Sequence, residues 1–320
     1  MAKLVSFSAG LDSTWIMYRL LCGSLFGQAS EVRAAYFSMY NGGNTNFMEM
    51  LCGVAMIGRM MDYHNAQTHH VTWTTVKEGS FTPITSGRSY DNGWSPLIQQ
   101  GNIVTTMANL MCRITRRHHQ ALAFVGWNKY DAVENSLDRG DWTLDEYARM
   151  KHLYHELVYF QDHAGRVPPL QTPAWDKEKI DMWRELPANI QELVQVSNFN
   201  NYEFAIDRDS QKLWVYTSPC AKSTTYRKLG IAPSVGWCIR LNDAYRRFWC
   251  SQLGESVSTI ELTVPKCAKF VPYNKHYPQY VVGDDDDRLQ ITAYSAEEWI
   301  GCQSHFERLQ QIEKARLKAK

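Results

Sequence analysis

The chain has 320 residues, enough for one large domain or two smaller ones with a substantial core. Its 34 basic and 33 acidic residues leave a net charge of +1, which argues against a polyanionic partner such as bulk nucleic acid. No apolar run approaches about 18 residues, so we expect no membrane span. The eight cysteines form no C-x-x-C pair, and we expect no disulfide framework. These features predict a cytoplasmic protein (in the host cytoplasm if phage-encoded).

The first half of the chain alternates between predicted strands and helices. Residues 3–7 form a short apolar strand, and apolar residues at helical spacing predict a helix from Ser13 to Leu21. The same alternation continues with strands over 33–38, 70–75 and 121–125, and helices over 46–63, 102–119 and 144–160. The polar stretch 78–95 is predicted to be a loop over the site. The pattern predicts an α/β fold, with a parallel sheet of about five strands and helices on both faces.

Beyond Pro168-Pro169 the pattern becomes mixed. Helices are predicted over 176–186, 188–194, 242–252 and 296–320, and strands over 204–207, 212–216 and 258–264, the first two forming a hairpin. We therefore expect an α/β domain over 1–170 and a smaller mixed α+β part over 171–320 that serves substrate binding or oligomerisation.

The segment between the first strand and the first helix reads Ser-Ala-Gly-Leu-Asp-Ser over residues 8–13. Gly10 lets the backbone approach an anion, and the first N–H groups of the helix supply positive charge. Asp12 would repel phosphate unless it holds a Mg²⁺ that bridges the phosphates, or caps the helix. The segment is neither a Walker loop nor G-x-G-x-x-G. It predicts a phosphate site, with a plain capped turn as the alternative; hydroxyl donors come from Ser8, Ser13 and Thr14.

This segment resembles the Ser-Gly-Gly-x-Asp-Ser signature of the N-type ATP pyrophosphatases, the PP-loop superfamily. Ala9 replaces the first glycine of that signature, and this substitution matters if φ must be positive there. The family carries its loop directly after the first strand, as here. The resemblance implies an adenine-nucleotide alpha-hydrolase-like fold that binds ATP and Mg²⁺.

Later segments are similar to the 7-cyano-7-deazaguanine synthases of queuosine biosynthesis. That family continues its loop with Asp-Ser-Thr, as at residues 12–14, and opens a helix with Pro-Gly-Arg-Asn, of which Asn102 is retained. Its Ile-Gly-x-Asn strand end resembles residues 125–128, which precede Asp131, and its Lys-x-Glu-Ile resembles residues 177–180. These pieces span about residues 3–250.

The zinc motif of that family is incomplete in this chain. Of four cysteines, Cys220 and Cys238 stand at comparable places, while Val235 and Leu241 occupy two others. Two thiolates cannot close a tetrahedral zinc site. The sequence therefore favours loss of the zinc site in this chain, with side-chain packing around Trp237 in its place.

The resemblance implies that ATP drives the conversion of 7-carboxy-7-deazaguanine and ammonia into 7-cyano-7-deazaguanine, or a closely related deazaguanine amidation, through an adenylated carboxylate. A homodimer is left open, and neither a membrane nor direct nucleic-acid binding is indicated. The implied catalytic residues are Asp12, which orients Mg²⁺, Asn128 and Lys177. The implied ATP-binding residues are Ser8, Ala9, Gly10, Leu11, Asp12, Ser13, Thr14, Tyr36, Phe37 and Ser38, and the implied substrate-binding residues are Asn102, Trp127, Asn128 and Asp131.

Other interpretations of the same residues stay open. Asn128 could cap a turn, Lys177 could be a surface lysine and Trp127 could pack in the core. The enzyme could instead be another PP-loop adenylating ligase, a tRNA-modifying sulfurtransferase or a lysidine-type synthase. A degenerate nucleotide-binding scaffold would fit Ala9, the missing arginine and the missing cysteines.

Overall fold

The computed structural model divides into two compact units. The first comprises residues 1–8, 12–40 and 63–186, and the second comprises residues 9–11, 41–62 and 187–320. The structure describes residues 1–22, 24–27, 29, 31–38, 43–63, 70–77, 96–116, 120–131, 143–161, 169–199, 202–210, 212–218, 229–232, 234–240, 270–274, 277–281 and 290–319.

Four parallel strands form the sheet of the first unit. They are β1 (Ala2–Ser6), β2 (Glu31–Ser38), β3 (His70–Lys77) and β4 (Ala121–Phe124), in the spatial order β4-β1-β2-β3. Each neighbouring pair is parallel. The carboxyl ends of β1 and β4 therefore lie side by side, where α/β sheets commonly bind ligands.

Seven α-helices are found among the described residues. They are α1 (Leu11–Leu21), α2 (Gly43–Tyr63), α3 (Pro96–Thr115), α4 (Leu144–Gln161), α5 (Lys179–Glu185), α6 (Ala188–Ser197) and α7 (Ala296–Lys318). A 3-10 helix over Lys129–Asp131 follows β4.

The central strand β1 is buried on both faces, as is typical of parallel strands. Ala2, Lys3, Leu4 and Val5 are at most 2% exposed. Ala2 and Leu4 point into a core that α3 and α4 cover, because alternate residues of a strand share one face. That core also contains Ala35, Phe37, Val104, Met107, Met111, Ala123 and Tyr154.

The buried Lys3 satisfies its ammonium with backbone oxygens. Its Nζ donates to the carbonyls of Leu25 at 2.8 Å and Gly27 at 2.5 Å. Both carbonyls lie just beyond the end of α1, so the ammonium fixes the chain that leads from α1 to β2. Burial lowers the pKa of Lys3 to about 8, although the nearby Cys22 opposes the change.

An antiparallel sheet dominates the second unit. Its strands are β5 (Glu203–Asp207), β6 (Lys212–Tyr216), β7 (Gly236–Arg240) and β10 (Gln290–Tyr294), in the order β10-β7-β6-β5. Two further strands, β8 (Phe270–Asn274) and β9 (Tyr277–Val281), pair antiparallel with each other.

Helix α7 packs its aromatic face on this antiparallel sheet. Trp299 and Phe306 are buried, and Tyr216 stacks on Trp299 with ring centroids 5.4 Å apart. Gly236 makes room for that indole, because a Cβ there would lie 1.9 Å from a ring carbon of Trp299. Ser295 starts the helix with a capping box.

The structure confirms the α/β class and the predicted alternation of the first half. The hairpin over 204–216 and the last helix are confirmed as well. Four parallel strands are described where about five were expected, and helix α3 begins at Pro96 and ends at Thr115 instead of spanning 102–119. Within the described residues no helix is long and apolar enough to cross a membrane. The elements predicted over 78–95, 242–252 and 258–264 lie outside the described residues, and the boundary expected after residue 170 stays a prediction.

Candidate functional site

The loop after β1 folds back on the first turn of α1. The backbone N–H of Ser8 donates to Oγ of Ser13 at 3.3 Å, and the two hydroxyl oxygens are also 3.3 Å apart. Ser8 is exposed, Gly10 is half-buried, and Ser13 and Thr14 are buried. The structure thus places the predicted hydroxyl donors around the amino end of a helix, where unpaired N–H groups favour an anion.

Ala9 has a left-handed backbone, with φ at 59°. This conformation costs an alanine roughly 1–2 kcal/mol and a glycine little. Its carbonyl accepts a hydrogen bond of 2.6 Å from Oγ of Ser197, the last residue of α6. A glycine would adopt this turn at little cost, whereas the alanine adopts it at a conformational cost.

Gly126 follows β4 and touches the first turn of α1. A Cβ at this position would lie 3.0 Å from the backbone N of Ser13 and 3.1 Å from Cβ of Asp12. Contacts this short are tighter than ordinary packing. The absence of a side chain at Gly126 therefore lets the carboxyl ends of β1 and β4 and the start of α1 come together.

Lys179 bridges two carboxylates at this edge of the sheet. Its Nζ donates to Oδ2 of Asp12 and, at 2.7 Å, to Oδ2 of Asp131. The side chain of Lys179 is 4% exposed, against 16% for Asp12 and 24% for Asp131. We call these three residues the Asp–Lys–Asp cluster. Their chain positions differ widely, and the first turns of α1 and α5 and the 3-10 helix after β4 bring them together.

The position of Lys179 is fixed by contacts between α1 and α5. Nε1 of Trp15 donates to the carboxylate of Glu185 at 2.6 Å, and Arg19 bonds the same oxygen at 3.2 Å. Trp183 of α5 is buried. These contacts hold α5 against α1, so that Lys179, the first residue of α5, faces the first turn of α1.

The electrostatics of the cluster favour a charged lysine. Burial raises the pKa of Asp12; the Lys179 ammonium opposes this rise without cancelling it, and the charge of Asp131 adds to it. Burial by itself would lower the pKa of Lys179, but the two carboxylates outweigh burial and raise it. One ammonium thus serves two carboxyl groups, and the cluster has a net negative charge when both are ionised. Among the described residues, Oδ1 of Asp12 is buried without a hydrogen-bond partner.

Asn128 is fully buried, and its side chain forms hydrogen bonds with the backbone that leads to Lys179. Its amide nitrogen donates to the carbonyls of Ala174 at 2.9 Å and Lys177 at 2.6 Å. Its Oδ1 accepts the N–H of Tyr130 at 2.8 Å. Both amide hydrogens are therefore used on backbone, and the predicted contact of Asn128 with substrate stays a prediction.

The other predicted site residues lie in different surroundings. Lys177 is exposed, and its ammonium lies 5.8 Å from the ring centroid of Trp15. Trp127 is buried in the α3–α4 core, 5.5 Å from the ring of Tyr147. Of the strand β2 residues, Tyr36 and Phe37 are buried, while the side chain of Ser38 lies outside the described part. Asn102 lies in α3, with its side chain also outside that part. Leu11 is buried at the start of α1.

The predicted zinc site rests on two cysteines, of which the structure describes only one. Cys238 is buried in β7, and burial raises the pKa of its thiol. Cys220 lies outside the described residues. Across the portion of the chain that is described, no group of three or more histidine, cysteine or acidic side chains could hold a metal ion.

Sequence reasoning missed three residues of this region: Lys179, Gly126 and Ser197. Lys179 lies within the segment 177–180, for which the sequence resemblance predicts Lys177 as the catalytic residue. Gly126 had one available signal, since a glycine directly after a buried strand often marks close backbone approach. No local pattern pointed to Ser197.

No protein-family model matches the chain, and no curated protein matches its sequence.

Proposed function

We propose that the protein is an ATP-dependent carbon–nitrogen ligase that makes 7-cyano-7-deazaguanine from 7-carboxy-7-deazaguanine and ammonia. The observation that carries the proposal is the loop over residues 8–14, which joins a parallel strand to the amino end of α1 and presents small and hydroxyl side chains there. Its resemblance to the PP-loop signature suggests ATP as the anion and an adenine-nucleotide alpha-hydrolase-like version of the α/β fold. The later resemblances suggest the acceptor.

Several features support the binding of a polyphosphate at this loop. The left-handed turn at Ala9 lets Gly10 present its backbone, and Ser8 is exposed next to the Ser13 hydroxyl. Serine hydroxyls and the first amides of α1 are donors suited to phosphate oxygens. In the proposed complex these donors turn from each other to the nucleotide.

Asp12 suits a magnesium ion that accompanies the nucleotide. Mg²⁺ takes oxygen ligands and commonly binds one or two carboxylates plus substrate phosphates. The buried Oδ1 of Asp12, which has no hydrogen-bond partner among the described residues, is an oxygen of this kind. When bound, the ion would neutralise phosphate charge and favour the release of pyrophosphate.

The proposed reaction requires activation because a carboxylate has oxide as its leaving group. A carboxylate oxygen of the substrate attacks the α-phosphorus of ATP, the bond to the β-phosphate oxygen breaks, and pyrophosphate leaves. Ammonia displaces AMP from the acyl adenylate and loses a proton, which gives the amide. The amide oxygen then attacks the α-phosphorus of a second ATP and a second pyrophosphate leaves. The C–O bond to AMP breaks as the amide nitrogen loses its two protons, which leaves the nitrile.

The protein's own groups have defined tasks in this scheme. The loop orients the polyphosphate, and the exposed Lys177 neutralises charge that develops on the phosphates. Asp131 and Tyr130, which follow β4 at the carboxyl edge of the sheet, contact the flat base. Asn128 holds the backbone around them and Lys177 in position.

The test is a reaction of purified protein with ATP, Mg²⁺, ammonia and 7-carboxy-7-deazaguanine. Mass spectrometry should detect 7-cyano-7-deazaguanine, and a coupled assay should detect pyrophosphate that depends on the acceptor. Asp12→Ala should abolish both, whereas Asp209→Ala, which removes an exposed carboxylate from a hairpin turn, should leave both unchanged.

Other outcomes would replace the proposal. Pyrophosphate release with a different carboxylate would indicate another adenylating ligase. ATP binding without pyrophosphate release, whatever the acceptor, would indicate a nucleotide-binding scaffold.

A further inference from the structure

Lys179 occupies the place between two carboxylates that a bridging metal ion takes in many enzymes. Its ammonium bonds one oxygen of Asp12 and one oxygen of Asp131, and its side chain is 4% exposed. Two half-buried carboxylates this close to one atom repel each other unless a cation or a shared proton lies between them. Hard cations with oxygen ligands meet the same need.

We propose that Lys179 is the built-in cation of the Asp–Lys–Asp cluster and that it keeps a resident divalent metal from bridging Asp12 and Asp131. The proposal concerns the nucleotide-free protein and does not depend on which reaction the protein catalyses. Lys179 is a positioning residue in this role: it holds the Asp12 carboxylate through Oδ2, while Oδ1 is buried without a hydrogen-bond partner among the described residues.

The geometry makes the arrangement selective. An ammonium bonded to both carboxylates repels a second cation at close range, since charges a few ångströms apart in a buried site interact strongly. A divalent ion can therefore approach this edge only with anionic partners of its own, such as the phosphates of a nucleotide. The nucleotide-free protein is expected to bind no divalent ion at the cluster.

Removal of the ammonium should convert the cluster into a metal site. Lys179→Ala leaves two carboxylates facing a cavity that water and a metal ion can enter, and Lys179→Gln keeps a hydrogen-bond donor without the charge. The matched control is Lys129→Ala. Lys129 lies in the same 3-10 helix as Asp131, but its ammonium is more exposed and pairs at 2.7 Å with the exposed Asp176.

The probe is Mn²⁺ alone, added to full-length nucleotide-free protein near neutral pH and followed by electron paramagnetic resonance. We expect Lys179→Ala to bind one Mn²⁺ per chain on the order of a hundredfold more tightly than the parent. Lys129→Ala should bind like the parent. A second substitution, Asp131→Asn, should remove the gained site. Mn²⁺ should also raise the melting temperature of Lys179→Ala but not that of the parent.

Three results would overturn the proposal. The first is a folded Lys179→Ala or Lys179→Gln that binds no more Mn²⁺ than the parent. The second is a parent protein whose Mn²⁺ binding is tight and is lost in Asp131→Asn. The third is failure of both variants to fold even with Mn²⁺ present, because the metal should then replace the missing ammonium. These measurements use no ATP, so they remain informative if the proposed ligase activity is not found.

Discussion

Replacement of Gly126 by alanine tests how closely the end of β4 packs on the first turn of α1. The new Cβ would lie 3.0 Å from the backbone N of Ser13, and 3.1 Å and 3.3 Å from Cβ and the carbonyl carbon of Asp12. Ordinary contacts between carbon atoms are about 3.5–4.0 Å. Because two of the three neighbours are backbone atoms of a helix, the helix or the loop must shift by a few tenths of an ångström.

The magnitude follows from two opposed effects. A forced shift in a packed region costs about 1–3 kcal/mol. A change from glycine to alanine also restricts the unfolded chain, which returns about 0.4–1 kcal/mol. We expect Gly126→Ala to lower the free energy of unfolding by about 1–2 kcal/mol.

Urea unfolding followed by tryptophan fluorescence and circular dichroism measures this difference. The control is Gly301→Ala, the same chemical change at a position in α7 where the added Cβ would meet nothing within 4 Å apart from its chain neighbours and the backbone of its own helix. An exposed helical glycine replaced by alanine should gain about 0.8–1 kcal/mol. The two variants should therefore shift the urea midpoint in opposite directions.

A Gly126→Ala protein as stable as the parent would refute the packing argument. A structure of that variant in which neither α1 nor the loop after β4 has moved would refute it independently. If the loop also binds nucleotide as proposed, the variant should bind ATP more weakly than Gly301→Ala does, because the shift displaces the amides of the first turn.

Three further predictions concern other parts of the chain. In Gly236→Ala the new Cβ would lie 1.9 Å from the Trp299 ring, which should destabilise the second unit by about 3 kcal/mol or more. The change should be visible as a loss of near-ultraviolet circular dichroism. An unchanged spectrum and an unchanged urea midpoint would contradict the prediction. Ser295→Ala removes the hydroxyl that caps the Glu298 N–H at 3.2 Å and should cost about 1 kcal/mol in urea unfolding, whereas an unshifted midpoint would show that the cap is dispensable. Burial lowers the pKa of Lys3 from 10.5 to about 8, so the unfolded chain binds more protons than the folded chain between these two pH values. The free energy of unfolding that is due to Lys3 should therefore rise with pH in this range. Urea unfolding across the range should show that Lys3→Met lacks this rise, and an identical pH profile for the variant would contradict the assignment.

The alternation of strands and helices in the first half could be predicted because its signals are local. Strand β2 contains the short apolar run of residues 34–37, which is buried, and helices such as α1 repeat apolar residues every three to four positions. Strands β7 and β10 were missed because their identity depends on pairing with each other across about 50 intervening residues. Strand β10 has only five residues and none of them is buried, so its local signal is weak.

The candidate site shows the same division between local and distant information. Residues 8–14 were identified from their own order, since the turn, the hydroxyls and the helix start are neighbours in the chain. The choice between Lys177 and Lys179 could not be made this way. The partners of Lys179 are 167 and 48 residues away, and which of the two lysines faces them depends on the direction in which α5 leaves its first turn.

The sequence by itself therefore determined the order of strands and helices in the first half of the chain, the α/β class and the position of the loop, because each depends on contacts within a few residues. Only the tertiary structure decided that Ala9 takes a left-handed turn, that Gly126 lets two chain segments touch, and that Lys179 joins Asp12 to Asp131. These three features depend on groups that are distant in the chain. Close packing and charge pairing bring such groups into contact only in the folded chain, so no local sequence pattern predicts these contacts.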